Sequence, residues 1–154
     1  MQEFLYESCE QLEDLLDEND DTMTTLANAS AFLNELLDRI NWVGFYLLRG
    51  DVLLLGPFQG KPACTKISVG KGVCGTAIAQ NRTQLVADVH AFPGHIACDS
   101  ASNSELVVLL RGKNGEPIGV LDIDSPFVGR FTSEDQQQME RAAQIISSKI
   151  HGQL

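Results

Sequence analysis

The chain has 154 residues, 44% of them hydrophobic, and a formal charge of −10 at neutral pH. That length and apolar content suit one domain around one core, and exclude a disordered tail or a stapled miniature. The acidic balance speaks against nucleic acid or an anionic membrane as partner. No apolar stretch reaches bilayer-spanning length, and Met1-Gln2-Glu3-Phe4 opens no secretory leader, so a cytoplasmic chain is expected.

Phe4, Leu5, Leu12, Leu15 and Leu16 recur at near-helical spacing and predict a first helix over residues 2–18. Its acids, from Glu10 to Asp21, read as a solvated face, and Cys9 on it as a bystander. Asp21 is placed to cap a second helix whose stripe runs from Met23 through Leu26, Leu33 and Leu37 to Ile40. The pattern then turns to strand. Trp42–Leu48 and Val52–Gly56 flank the turn Arg49-Gly50-Asp51, which makes a hairpin.

From Pro57 to Asn103 the chain is rich in Gly, Pro and Cys. A strand at Lys66–Val69, a short helix near Val73–Gln80 and a strand at Gln84–Val86 are expected there, joined by long loops of the kind that carry function. Glu105–Leu110 and Pro117–Asp124 form a second hairpin about Lys113-Asn114-Gly115. A final helix follows Phe131, with Ser133 and Gln136 as its capping box. The order predicts an α+β fold: a central antiparallel sheet with the N-terminal helices (residues 2–40) and the C-terminal helix (132–150) on one face, in a single domain of residues 1–154 with its sheet and cysteine-bearing loops at 41–125.

Two constellations carry chemistry. In Val120-Leu121-Asp122-Ile123-Asp124, alternation puts Asp122 and Asp124 on one face, roughly 7 Å apart at the backbone. Counting outward from the Asn114-Gly115 turn brings Glu105 near Asp124. Carboxylates so close raise the pKa of at least one member or demand a cation. They could donate a proton, hold an ammonium group or bind a divalent ion; the plain alternative is an exposed acidic sheet face.

The second constellation is Cys64, Cys74 and Cys98, three loop cysteines beside the acidic hairpin. Cys74 follows Gly70-Lys71-Gly72-Val73 at the start of the short helix, where a helix terminus and a lysine would lower a thiol pKa. The same loop lacks the spacing of a phosphate cradle. His95 is placed to approach Cys98 across a turn. Buried inert thiols, or a zinc site of Cys64, Cys74, Cys98 and His95, are the alternatives to thiol redox chemistry.

Asn41-Trp42-Val43-Gly44-Phe45-Tyr46, Gly56–Lys61, Gly72–Ala77, Gly94–Asp99 and Gly119–Ser125 resemble the free methionine-(R)-sulfoxide reductases, stand-alone GAF-domain enzymes, from about Thr25 to the last helix. The chain departs from them at Leu109, where a proline is expected, and in a longer Arg111–Pro117 hairpin. The resemblance implies an oxidoreductase that reduces free L-methionine (R)-sulfoxide through a cysteine sulfenic acid and an intramolecular disulfide. It implies Cys98 as the attacking thiol, Cys64 as its resolving partner and Cys74 as a further recycling cysteine. Trp42 and Tyr46 would line the pocket, and Glu105, Asp122 and Asp124 would bind substrate, with Glu105 or Asp124 as acid. Backbone N–H groups of Gly94–Asp99 would hold the substrate carboxylate. No metal or bound cofactor is implied; thioredoxin is the reductant, with NADPH behind it through thioredoxin reductase, and a homodimer is expected. A non-catalytic GAF sensor is the rival from another class.

Overall fold

Alternation along the central strands sends side chains to both faces of one sheet, and the two faces are covered differently. The computed structural model describes residues 2–95 and 101–150, with side chains from residue 7 onward. Two helices, α1 (Gln2–Leu15) and α2 (Thr22–Leu36), precede the hairpin β1 (Trp42–Arg49) and β2 (Val52–Gly60). Then come β3 (Lys66–Ser68), α3 (Gly72–Gln80), β4 (Gln84–Val86) and a 3-10 turn at Val89–Ala91. The second hairpin, β5 (Ser104–Arg111) and β6 (Pro117–Ser125), leads to α4 (Ser133–Ile150). The strands form an antiparallel sheet in the order β3-β2-β1-β6-β5-β4.

One face presents Val43, Phe45, Leu106, Val108, Leu121 and Ile123 to α1, α2 and α4, which supply Leu12, Leu26, Leu33, Met139 and Ile146. Each such apolar side chain, taken fully out of water, stabilises the fold by about 1.5–3 kcal/mol. The terminal helices thus share a face, as expected. The short α3 covers the opposite face, where Val73 and Ala77 pack with Trp42, Tyr46, Val107 and Val120. None of the described helices is long and apolar enough to cross a membrane.

Several boundaries differ from the sequence reading. Helix α1 stops at Leu15, and the Asp17 carboxylate then accepts from the Asn19 N–H in a turn. Asp21 caps α2 as expected, accepting from Met23 N–H, but Leu37 is already extended and ends the helix short of Ile40. Strand β2 runs beyond Gly56 through Pro57 to Gly60. It can do so because the β1–β2 register shifts between Gly44 and Tyr46, and Pro57, which has no N–H to give, falls at that irregularity. The capping box of α4 lies one residue earlier than Ser133. Thr132 Oγ1 accepts from Asp135 N–H at 3.1 Å, and the Asp135 carboxylate accepts from Thr132 N–H at 2.8 Å, so Thr132 and Asp135 do the work assigned to Ser133 and Gln136.

Candidate active site

The register builds the site row by row. Glu105 pairs with Asp124, and Asp124 pairs on its other side with Trp42; Val107, Asp122 and Gly44 form the next row. The Glu105–Asp124 pairing is the one counted from the Asn114-Gly115 turn, where Gly115 takes φ +81°. Residues two apart on a strand share a face, so all three acids stand on the α3 side, under a pocket also lined by Trp42, Tyr46, Cys74, His95 and Ser102.

These acids are not an exposed sheet face. Glu105, Asp122 and Asp124 retain only 7%, 5% and 8% of their accessible surface. Burial, followed by the charges of Asp122 and Asp124, pushes the Glu105 carboxyl well above its ordinary 4.5. Asp122 is also raised by burial, although hydrogen bonds from Glu105, Asp124 and Cys74 pull it back. Asp122 Oδ1 is buried with no hydrogen-bond partner among the described residues. The site therefore combines a carboxyl whose protonated form burial favours with an acceptor that, among the described residues, lacks a donor.

Two aromatic rings wall this floor. The Trp42 indole stacks on Phe58 at 5.1 Å between centroids and on Tyr46 at 6.0 Å. Gly44 leaves them room: a Cβ there would run into Phe58 Cβ and stand 2.9 Å from the Trp42 ring. The Tyr46 hydroxyl donates to the Cys64 carbonyl at 2.8 Å, and Trp42 Nε1–H donates to the Lys61 carbonyl at 3.1 Å. Burial, and then Asp122, push the Tyr46 hydroxyl far above its ordinary pKa, so it remains a donor.

Cys64 is disulfide-bonded, whereas Cys9 and Cys74 are free. Residues 96–100, which include Cys98 and most of the loop expected to hold the substrate carboxylate, lie outside the described residues. Cys74 corrects the sequence reading. Its thiol pKa is raised, not lowered, first by burial and then by the charges of Asp122, Glu105 and Asp124. Lys71 is exposed and caps α3 without a side-chain hydrogen bond, so the helix terminus and one solvated lysine are outweighed. Cys74 is held as a neutral thiol that donates toward Glu105 Oε2 at 4.0 Å.

His95 enters the site beside the acids, with Nε2 4.0 Å from Glu105 Oε1. Burial, with His90 adding to it, lowers its pKa, which favours the uncharged ring. The zinc alternative loses Cys64 to the disulfide. Among the described residues, donor atoms of Cys74, Glu105 and Asp122 do come within 4.8 Å of one another. Sequence reasoning missed Gly44 and Ser102 as site residues. The strand pattern marks Gly44 only as a gap, and nothing local signals Ser102, whose hydroxyl accepts from Asn41 Nδ2 at 3.1 Å.

Residues 20–151 match the GAF domain family. The free methionine-R-sulfoxide reductase of Escherichia coli K12 is 62% identical over 119 residues, which cover 77% of this chain and 72% of that one. The structure of fRMsr of Staphylococcus aureus in complex with substrate superposes with a TM-score of 0.89 at 49% identity, covering 95% of each chain. The free methionine-R-sulfoxide reductase of Neisseria meningitidis, also in complex with its substrate, gives 0.87 at 43% identity over 94% of this chain and 87% of its own. The chain therefore belongs to the free methionine-R-sulfoxide reductases, a family built on the GAF domain.

Proposed function

We propose that the protein reduces free L-methionine (R)-sulfoxide to methionine by a cysteine cycle. The observation that carries this reading is the buried trio of Glu105, Asp122 and Asp124, set beneath Trp42 and Tyr46 and beside the loop of a disulfide-bonded Cys64. The substrate is a zwitterion. Its ammonium group fits Asp122 Oδ1, a buried acceptor without a partner among the described residues, with Asp124 alongside. The indole and phenol rings suit its S-methyl end.

The Cys98 thiolate attacks the sulfoxide sulfur. That attack forms an S–S bond. Glu105, whose protonated form burial favours, protonates the sulfoxide oxygen. As the oxygen moves to the Cys98 sulfur, both the old S–O bond and the new S–S bond break, leaving a Cys98 sulfenic acid and methionine. The Cys64 thiol then attacks the sulfenic sulfur, an S–S bond replaces the S–O bond, and water departs. A dithiol reductant of the thioredoxin type reopens the disulfide by exchange, drawing on NADPH through its own reductase. In this cycle Cys74 serves as a buried donor to Glu105, because its raised pKa suits a thiol and not a nucleophile.

The test offers separated R and S epimers of free methionine sulfoxide with thioredoxin, thioredoxin reductase and NADPH. NADPH consumption with the R epimer, and little with S or with a peptide-bound sulfoxide, is expected. No consumption with free R epimer would overturn the reading. Full single-turnover activity in Cys98→Ser would overturn the cysteine assignment.

A further inference from the structure

Trp42 and Tyr46 do more than line the pocket. Both spend their single polar hydrogen on the backbone of one loop, Trp42 on the carbonyl of Lys61 and Tyr46 on that of Cys64. The two carbonyls bracket Pro62 and Ala63, so four consecutive residues are pinned at both ends to rings that are themselves 2% exposed. The Trp42 ring is fixed in turn between Phe58 and Tyr46, on both of which it stacks. At the loop's start, Gly60 adopts φ +140°, and a Cβ there would stand 2.5 Å from Trp42 Cδ1. The loop can therefore leave β2 only by passing tightly over the indole. Buried hydroxyl and indole donors take such partners readily, but these two partners belong to the segment that carries the bridged cysteine.

We infer that Trp42 and Tyr46 are positioning residues for Cys64, holding the Lys61–Cys64 loop so that its thiol reaches a sulfenic acid formed in the pocket. This rests on the cycle proposed above, with Cys64 as resolving thiol. In the step concerned, the Cys64 thiol attacks the sulfenic sulfur, the S–S bond forms, the S–O bond breaks, and the oxygen leaves with two protons as water. A loose loop slows this step and lengthens the life of the sulfenic acid, whatever happens to substrate binding.

The experiment is a single turnover of pre-reduced protein with the R epimer, without thioredoxin and with dimedone present. Methionine is measured by chromatography and the dimedone adduct by intact mass. Tyr46→Phe, which keeps the ring and removes the donor, is expected to raise the adduct formed per methionine released by about two- to tenfold, the range for one lost hydrogen bond. Pro62→Gly, on an exposed residue, loosens the same loop from outside the pocket and is expected to raise the same ratio. Dividing by methionine released removes any effect on binding or on the first step. Methionine release with an unchanged ratio in both variants overturns this inference alone. No methionine from the unsubstituted protein overturns the proposed function, and this inference with it.

Discussion

Ile123 and Asp122 are neighbours on β6 and almost equally shielded from water, at 0% and 5% exposure. They face opposite ways and illustrate opposite economies. Ile123 points among helices α1, α2 and α4, where burial itself stabilises the fold. Asp122 points under α3 into a pocket where burial disfavours its charge, and where one of its oxygens has no partner among the described residues. One face of the sheet is built for stability. The other keeps acids in a state that bulk water would not allow, and its cost is carried by the first.

That contrast can be broken by substitution. The largest effect is expected from Glu105→Gln, which preserves shape but cannot give up a carboxyl proton; kcat should fall by about 100- to 10,000-fold while the fold persists by circular dichroism. A near-normal kcat would move the acid role elsewhere in the trio. On the helix-covered face, Ile123→Ala should cost about 2–5 kcal/mol, read as a lower urea midpoint at unchanged slope, with KM unaltered in the protein that remains folded.

The pocket face should also give stability an unusual pH dependence. The folded state holds Glu105 above its ordinary 4.5 and Asp122 above its ordinary 3.8, so folding favours their protonated forms. Their contribution is fully present below those ordinary values and is lost as pH rises through the raised ones. The Tm should therefore climb as pH falls toward the ordinary 4.5 of Glu105, and Glu105→Gln should flatten that slope. An identical slope in the variant would mean that the acids do not set it. The smallest effect is expected at the cap of α4. Thr132→Ala should remove about 1 kcal/mol of stability and leave kcat untouched, since the cap backs the helix face only.

The sequence made the acid trio legible because the information is local. The Asn114-Gly115 turn sets a register, and alternation does the rest, so the Glu105–Asp124 pairing can be counted by hand. The burial of those acids could not be counted. It depends on α3 and on the loop after β2, which reach the pocket face from distant parts of the chain. Cys74 failed for the same reason. Its helix position was right, but the carboxylates that raise its pKa come from β5 and β6. Pro57 looked like a strand end because the shift opposite it lies in β1, and Thr132 was passed over because Asp135, not a Glu or Gln, completes its box. The hydrogen bonds from Trp42 and Tyr46 to the Lys61–Cys64 loop left no sequence signal at all.

The pairing of Glu105 with Asp124 also limits how this protein can change in length. The pair stands at the end of the hairpin farthest from its turn, and a strand alternates with a period of two. One residue inserted in β6 between Gly119 and Asp122 would turn both aspartates under the helices and offer Ile123 to the pocket. The same insertion at Lys113-Asn114-Gly115 would leave every site row in place. Insertions and deletions are thus affordable at the tip and ruinous in the arms, so the hairpin can drift in length among relatives only at the end away from its chemistry.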